Sequence, residues 1–410
     1  MARLEVVITT RSPLSLGTTK GYGGTLIESG SYITGGHLRG ALGALSPYLR
    51  TEEREKINEI LDGLSFPNCY LSDSRPSYPA PLTAQTCKRE GGFKNVLREK
   101  KPKHGVADTL LMQLAYDRVA RDGDRRRIPL PFQYRCPTCG GRAETYNGLV
   151  EPRGGKSYSP AVAHMHRQTR VAINRRRLTA EDGQLYSVQA FDERSRFIGE
   201  MEAEGTLLAA AKDWLPRIER LGGRLSRGFG LARVEVKDSR TASSGRERCE
   251  RFNEEYRRIE TELASIARPA PSLPRRQLFT VNLRSDLLLR TEEGAPTLRL
   301  DEDLLRDASR RLIAEADFDR LGVKLIAQYA QPRWLGGWHT GRRLPKEAQL
   351  TVRGGGLYVF AAEIDDKDSR REELFSLLER LEASGLGEGR ADGLGRIVIC
   401  DQFHLEVTPV

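Results

Sequence analysis

One pattern occurs twice along the chain and constrains its fold more than any other feature. An amphipathic helix, with apolar residues at the i, i+3 and i+4 spacing, leads into a loop rich in glycine and arginine and then into a strand. The helix, loop and strand span 207–218, 222–230 and 231–236 in the first half, and 374–381, 385–395 and 396–400 in the second. Each half also opens on a strand-like segment. The repeat predicts two duplicated units of the α+β class.

The chain has 410 residues, which is too long for one ordinary core. We predict a first domain over 1–237 and a second over 276–410. The linker between them, 238–275, is charged, predicted to be helical over 246–266, and then proline-rich. The first domain is the longer of the two. Its excess lies at about 69–158, in a segment with proline-rich loops, which we interpret as an insertion.

The charge balance favours a polyanionic partner. Lys and Arg outnumber Asp and Glu by 66 to 56, a formal net charge of +10, and each phosphate that is neutralised releases condensed counterions. Many soluble proteins carry such an excess without binding nucleic acid. The sequence has no apolar run long enough to cross a bilayer and no secretory signal. We therefore expect a cytoplasmic protein whose six cysteines are thiols or metal ligands.

The two Gly-rich loops carry the residues that point to nucleic acid. A glycine-rich backbone can approach another chain closely, and arginine binds phosphates in a bidentate way and stacks on bases. The predicted RNA contacts in these loops are Arg224, Arg227, Gly228, Gly389, Arg390 and Gly393. The alternative is a pair of flexible helix-to-strand turns whose charges only aid solubility.

Two further basic segments add candidate RNA contacts. In 34–42, a glycine-lined helix start carries His37 and Arg39 and predicts an anion site, unless its small residues only allow tight packing. In 166–177, cations alternate with apolar residues, so that one face could pack while the other lies along a backbone. The contacts predicted there are Arg167, Arg170, Arg175 and Arg176, and the alternative is a solvated face.

The insertion contains a Cys-x-x-Cys knuckle, Cys136 and Cys139, with Pro and Gly where a zinc knuckle turns tightly. Two thiolates at this spacing reach one tetrahedral ion, and a complete site needs two more ligands. We predict Cys69 and Cys87 as those ligands because they lie in the same insertion, with His104 in reserve. We expect structural zinc. A redox role is the weaker alternative, since no thioredoxin-like strand and helix surround the knuckle.

Taken in order, these motifs resemble the RAMP superfamily of CRISPR-associated proteins. That family places a Gly-rich loop between its last helix and last strand, as at 222–230 and 385–395, and its early helix start resembles 34–42. The segments 336–338 and 354–358 resemble the tag-binding subunits of type III effectors. The family member that the chain resembles most is the large RAMP subunit of type III-D effectors.

The resemblance implies two ferredoxin-like (RRM-like) domains, with the zinc-knuckle insertion in the first. It implies a non-catalytic guide-RNA (crRNA) binding subunit that caps the 5′ tag. The implied protein partners are the large polymerase-like subunit and the backbone RAMP subunits of a type III CRISPR effector complex.

Two other functions compete with this interpretation. A metal-independent endoribonuclease that processes CRISPR repeat RNA needs a general base and an acid, and His37, His164 and His166 are the candidates among only six histidines. A generic binder of single-stranded RNA would carry the RNP1 pattern on a sheet strand. The 227–230 segment matches that pattern only in part and precedes its strand.

Overall fold

The computed structural model describes residues 2–17, 25–94, 102–122, 128, 134–154, 157–239, 243–267, 273–311, 318–339, 344–365 and 368–407. Over these residues the fold is mixed α+β, with two four-stranded antiparallel sheets and several small ones. None of the helices described is long and apolar enough to cross a membrane.

The elements are numbered along the chain. The strands are β1 (Ala2–Thr10), β2 (Leu26–Ile27), β3 (Tyr70–Leu71), β4 (Tyr78–Pro79), β5 (Ala84–Cys87), β6 (Val106–Asp108), β7 (Ala143–Thr145), β8 (Leu149–Gly154), β9 (Ser157–Ala161), β10 (Met165–Ile173), β11 (Ala180–Phe191), β12 (Arg196–Ala203), β13 (Ala232–Asp238), β14 (Gln277–Leu283), β15 (Leu289–Arg290), β16 (Pro296–Thr297), β17 (Val323–Tyr329), β18 (Pro332–His339), β19 (Leu344–Val352), β20 (Leu357–Ala362) and β21 (Ile397–Ile399). The α-helices are α1 (Gly35–Gly43), α2 (Thr51–Gly63), α3 (Leu110–Asp122), α4 (Gly205–Trp214), α5 (Gly245–Ile266), α6 (Glu302–Arg310), α7 (Arg370–Ser384) and α8 (Phe403–Glu406).

The first large sheet has the spatial order β13-β1-β12-β3. If its strands are numbered by their order along the chain, this is 4-1-3-2. Every pairing is antiparallel, and Val6 of β1 lies opposite Gly199 of β12 and Val236 of β13. Leu4, Val6 and Ile8 are fully buried in a core shared with α1, α2 and α4. Apolar burial between sheet and helices therefore holds the first half together.

The second large sheet repeats that order. Its spatial arrangement is β17-β20-β14-β21, which is again 4-1-3-2 when it is read from β21. The central strands β14 and β20 are buried along their whole length. The helix, loop and strand repeated in the sequence occupy equivalent places, as α4 before β13 and as α7 before β21. The two Gly-rich loops thus lie at matching positions in the two sheets.

The helix predicted within the linker, at 246–266, is confirmed as α5, which fills most of 238–275. Cys249, Phe252, Tyr256 and Ile259 recur at helical spacing on α5, and they are buried in the core of the second sheet. Because α5 also carries many charged residues, its composition alone does not indicate a buried face. The helix therefore belongs to the packed second half.

The predicted insertion, at about 69–158, is divided between the two halves. Its first residues form β3, the edge strand of the first sheet. Leu110, Leu111 and Leu114 of α3 are instead buried in the core of the second sheet, where α3 packs against α5. The other strands of the segment form the small sheets β4-β8-β9 and β6-β5-β7. The insertion therefore ties the first half to the second.

Direct hydrogen bonds also join the halves around a buried carboxylate. The Tyr32 hydroxyl donates to Asp286 at 3.2 Å, and the backbone N–H of Gly354 donates to the same carboxylate at 2.7 Å. Nearby, the Tyr70 hydroxyl donates to the carbonyl of Arg284 at 2.9 Å. Asp286 is 2 % exposed, so these partners are needed to offset its loss of hydration.

Candidate nucleic-acid interface and metal centre

The two Gly-rich loops have the same backbone. Each contains one 3-10 turn, Leu225–Arg227 in the first loop and Arg390–Asp392 in the second. The left-handed residues before and after the turn are Arg224 (φ 60°) and Gly228 (φ 84°) in the first loop, and Gly389 (φ 72°) and Gly393 (φ 90°) in the second. Three of the four positions are glycine, which adopts this conformation without a steric penalty. Arg224 is the exception.

The first loop packs against the hairpin of β10 and β11, where three guanidinium groups meet two aromatic rings. The carbon of the Arg170 guanidinium lies 4.8 Å from the Phe229 ring centroid, and those of Arg224 and Arg227 lie 5.6 and 5.9 Å from the Tyr186 centroid. Arg227 donates to the Tyr186 hydroxyl at 2.6 Å, and Arg170 donates to the carbonyl of Arg227 at 3.4 Å. We call these five residues the Arg–aromatic cluster.

The cluster holds like charges close together. Burial lowers the pKa of Arg224, and the positive charges of Arg227 and Arg170 lower it further. Arg224 is half-buried and Arg227 is exposed, so the cluster can be reached from solvent. An anion placed among the three guanidinium groups would relieve their repulsion and accept charge-assisted hydrogen bonds.

A chain of hydrogen bonds leads along β10 to this cluster. His166 Nδ1 is in close contact with the Asp192 carboxylate, and the Gln168 amide nitrogen lies 2.9 Å from His166 Nε2. The other end of the Gln168 amide accepts a hydrogen bond from Arg170 at 3.0 Å. Residues 166, 168 and 170 share one face because strand side chains alternate. The chain therefore limits the orientations open to the Arg170 guanidinium.

The other predicted contacts of this hairpin extend away from the cluster. Arg167 is exposed on the opposite face of β10. Arg175 and Arg176 are exposed in the turn between β10 and β11, which is braced by a hydrogen bond from the Arg176 backbone N–H to the Asn174 side chain at 3.0 Å. The hairpin thus presents cations from its base to its tip.

The second loop, by contrast, is covered at one end, 391–393, by the first half of the chain, while 387–390 are exposed. The backbone N–H of Phe66 donates to the Ala391 carbonyl at 3.2 Å. A Cβ atom added at Gly393 would lie 2.4 Å from the Asn68 side-chain oxygen. The loop therefore forms part of the contact between the halves.

Charged residues of the second loop are engaged within the chain. Asp392, at the position of Arg227, lies 3.4 Å from Arg39 and 3.7 Å from Lys346. Arg390 donates to the Ser384 hydroxyl at 2.8 Å. Arg39 and Gly393 thus lie at the contact between the halves, while Gly389 and Arg390 are exposed in the second loop. None of the four belongs to the Arg–aromatic cluster.

His37 forms a capping box at the start of α1. The Thr34 side chain accepts from the His37 backbone N–H, and His37 Nδ1 accepts from the Thr34 backbone N–H at 3.3 Å. Burial, with the positive charge of Lys346, lowers the pKa of His37 to about 4. The N–H of Gly35 donates to the Asn68 side chain at 2.9 Å. The predicted anion site at this helix start is therefore occupied by groups of the chain itself.

A second cluster lies in the insertion and could hold a metal ion. The ligand atoms of Cys87, His104, Cys136 and Cys139 all lie within 4.8 Å of one another. The Cys87 and Cys139 sulfurs are 3.6 Å apart, and the Cys136 sulfur is 3.4 Å from His104 Nδ1. Ligands on one tetrahedral zinc stand about 3.8 Å apart for two sulfurs and about 3.5 Å for sulfur and nitrogen. The donor set and its spacing are compatible with zinc.

Hydrogen bonds from backbone N–H groups lower the pKa of two of the thiols. A hydrogen bond from the backbone of Glu90 is the main cause that lowers the pKa of Cys87 to about 6. Burial opposes ionisation of Cys136, but hydrogen bonds from the backbone of Cys139 and Thr138 outweigh it and lower its pKa. Since thiolates are the form that binds metal, both effects favour a metal ion.

Cys69 is not part of this cluster, which corrects the ligand set predicted from the sequence. It is fully buried in the core of the first sheet, and burial raises the pKa of its thiol. His104, the reserve ligand, takes its place beside the knuckle. Nearness in sequence within the insertion suggested Cys69, but the chain leaves the first sheet between Leu71 and the small sheet that carries Cys87.

The sequence interpretation missed the aromatic half of the Arg–aromatic cluster. Tyr186 is brought opposite Arg170 by the register of β10 and β11, which no local motif specifies. Phe229 stood out only as part of an incomplete RNP1 pattern. The two left-handed glycines that flank it, Gly228 and Gly230, were the available signal, because they let the chain turn sharply on both sides of one apolar residue. In the structure Phe229 is buried against Val188 and Ala190.

Comparison with known proteins gives one family match. The model of the RAMP superfamily matches residues 93–233, about a third of the chain. This supports the RAMP resemblance for that part, which includes the hairpin and the first Gly-rich loop. The match begins inside the predicted insertion. No curated protein matches the chain in sequence.

Solved structures give distant likenesses. A chain of the type III-B Cmr-beta complex bound to cognate target RNA and AMPPnP has a TM-score of 0.41 and 9% identity, over 91% of this chain and 93% of that one. A chain of Cmr-beta bound to cognate target RNA has a TM-score of 0.31 and 14% identity, over 58% and 97%. A Cas6 product complex has a TM-score of 0.32 and 15% identity, over 51% and 78%. At these TM-scores none of them decides fold or function.

Proposed function

We propose that this protein is a non-catalytic crRNA-binding subunit of a type III CRISPR effector complex. The Arg–aromatic cluster is the observation that carries the proposal. It combines guanidinium groups that suit phosphate with the partly exposed Tyr186 ring, on which a base can stack, while the second ring, Phe229, is buried. It also lies inside the segment that matches the RAMP superfamily model.

In this proposal the hairpin and the first loop act as one surface. Arg224 and Arg227 bind the RNA backbone beside Tyr186, and the cations toward the hairpin tip follow the strand outward. The hydrogen bond to Gln168 orients Arg170, which binds the same phosphates. Contacts of this kind bind RNA with little regard to sequence and weaken as salt rises.

We further propose that both halves are ferredoxin-like domains. Two features support this: the shared 4-1-3-2 strand order and the position of each Gly-rich loop before the fourth strand. The hydrogen bonds that close the two loops also correspond, from Leu221 to Gly230 at 2.8 Å and from Leu386 to Gly395 at 2.9 Å. The domains of 1–237 and 276–410 would then be joined through α5, which packs with the second.

The finer assignment is a subunit of type III-D that caps the 5′ tag and contacts the large polymerase-like subunit and the backbone RAMP subunits. Purification from a host that expresses the whole locus, followed by sequencing of the bound small RNA, tests it. We expect guide RNAs that share one constant 5′ end, together with partner subunits. Protein that arrives with no RNA and no partner would contradict the assignment.

The RNA surface itself is tested with two matched variants. Arg224→Ala/Arg227→Ala should weaken crRNA binding by about tenfold per arginine, on the order of 1.4 kcal/mol each, and should flatten the salt dependence. Arg390→Ala removes an arginine from the equivalent loop and should leave binding unchanged. Equal losses in both variants, at unchanged stability, would show that the cluster is not the RNA surface.

A metal-independent endoribonuclease is the second candidate, because one observation favours it. The Asp192 carboxylate beside Nδ1 orients the His166 ring, as in a general base. Gln168 already occupies Nε2, however, and this weighs against the idea. Cleavage of repeat RNA that is lost in His166→Ala would establish the nuclease, whereas intact repeat RNA after incubation with the wild type would remove it.

We propose that Cys87, His104, Cys136 and Cys139 bind one structural zinc ion. Four protein ligands leave no open position, as is usual in structural sites. When bound, the ion would crosslink three segments: the end of β5, the stretch before β6 and the knuckle. Its binding free energy would then add to the stability of the folded segment.

Metal analysis of the purified protein tests this site. We expect one zinc per chain, its loss in Cys136→Ser, and a Tm lowered by several degrees after chelation. Cys69→Ser is the matched control, since that thiol is equally buried but lies in the first core. Zinc retained in Cys136→Ser but lost in Cys69→Ser would reverse the ligand assignment.

A further inference from the structure

Two buried thiols from distant parts of the chain face each other in the second half. Cys249 of α5 and Cys400, just after β21, are both 0 % exposed, and their sulfurs lie 3.1 Å apart. Two thiolates on one zinc stand about 3.8 Å apart, so this spacing is too short for a shared metal ion. It is also shorter than the 3.6 Å between Cys87 and Cys139.

The backbone at Cys400 gives a second, independent indication. Its φ is 49°, in the left-handed region that glycine adopts easily and that costs other residues free energy. A hydrogen bond from its N–H to the Thr280 carbonyl, at 3.1 Å, holds this conformation. Such strain persists where the surroundings fix it and is often found at functional positions. A glycine at position 400 would adopt this φ without strain, but the chain has a cysteine there, and its thiol faces Cys249.

We propose that Cys249 and Cys400 form a reversible disulfide when the protein meets a hydroperoxide. One thiol attacks the peroxide and becomes a sulfenic acid, and water or an alcohol leaves. The second thiol then attacks the sulfenic sulfur, a second molecule of water leaves, and the S–S bond forms. The two sulfurs give up two electrons in total and the two thiol hydrogens are lost. The sulfurs need to approach by about 1 Å to reach bonding distance.

The crosslink would join α5 to the strand that follows the second Gly-rich loop. The two cysteines are 151 positions apart, so the bond would close a long loop in the unfolded chain, and a long loop gives a large entropic stabilisation. The hydrogen bond with Cys400 and burial raise the pKa of Cys249 well above its ordinary range. Because the thiolate is the reactive form, oxidation of the folded protein should be slow.

The experiment uses the full-length chain, treated with hydrogen peroxide below its unfolding temperature and then alkylated in denaturant. Peptide mapping without reductant should show a Cys249–Cys400 crosslink that has lost two hydrogens and that a dithiol reverses. The Tm of the oxidised protein should rise by several degrees. Cys249→Ala and Cys400→Gly should abolish both effects. Cys400→Gly suits the backbone, so it should still fold.

Three results would overturn the proposal. One is Cys249 and Cys400 both remaining free after Cys139, the exposed cysteine of the metal cluster, has been oxidised. Another is a crosslink that appears only after the protein is denatured. A third is a rise in Tm that persists in Cys400→Gly, which would assign the stabilisation to a different modification.

Discussion

The two Gly-rich loops share a backbone but differ in what surrounds them. The first lies beside a hairpin, and a Cβ atom added at Gly228 would meet nothing within 4 Å. The second lies against the first half of the chain, and the same addition at Gly393 would collide with Asn68 and with the Phe66 carbonyl. The same turn therefore lies at an open surface in the first loop and at a contact between the halves in the second.

The two loops also differ in the charge of one equivalent residue. The last residue of the 3-10 turn is Arg227 in the open loop and Asp392 in the covered one. The carboxylate lies between Arg39 and Lys346, so cations near the second loop already have a partner. The guanidinium groups near the first loop lie beside aromatic rings, which attract a cation without neutralising its charge. This difference is why we place RNA at the first loop.

The largest expected difference between the loops is in packing. Gly393→Ala should destabilise the protein by about 3 kcal/mol, because the new methyl group meets fixed polar atoms as well as an unfavourable φ. Gly228→Ala has the unfavourable φ alone and should cost about 1 kcal/mol. Denaturant unfolding of both variants measures the difference. Equal losses would mean that the second loop is as open as the first.

The surroundings of the second loop should also respond to pH. The pKa of His37 is lowered to about 4, so between about pH 6.5 and pH 4 the unfolded chain binds the proton and the folded chain does not. Stability should therefore fall by roughly 2 kcal/mol as pH drops through this window. His37→Gln keeps a capping residue without the titration and should flatten the curve. A curve unchanged by this substitution would refute the assignment.

Arg224 offers a test in which stability and binding should move in opposite directions. It occupies the left-handed position that is glycine in the second loop. Arg224→Gly should stabilise the protein by about 0.5–1 kcal/mol while it weakens crRNA binding. Thermal unfolding and a binding titration on the same preparation measure the two effects. If Arg224→Gly lowered both the stability and the affinity for crRNA, Arg224 would be a residue that supports the loop itself.

The smallest effect concerns the ion pairs of Asp392. Its pairs with Arg39 and Lys346 join partly exposed side chains at 3.4 and 3.7 Å, so Asp392→Asn should cost only about 0.5–1 kcal/mol at low salt. The loss should shrink as salt is added, because exposed pairs are screened. An effect of several kcal/mol that ignores salt would make Asp392 a buried anchor of the contact between the halves.

Local patterns predicted the elements well and their partners poorly. The repeated helix, loop and strand could be identified because each has its own spacing of apolar and glycine residues. The knuckle was visible for the same reason. Three features depend instead on contacts between residues far apart in sequence. They are the packing of α5, the place of His104 in the metal cluster, and the pairing of Tyr186 with Arg170. Such contacts follow from sheet register and topology, which a single sequence does not specify.

The division of the insertion between the halves has a consequence for synthesis of the protein. A chain leaves the ribosome from its N-terminus, so α3 emerges well before the second sheet. Leu110, Leu111 and Leu114 therefore face water, or a chaperone, until α5 and β14 have followed. A ribosome that stalls between the two halves would release a first half with this apolar face uncovered, which favours aggregation over a stable fragment.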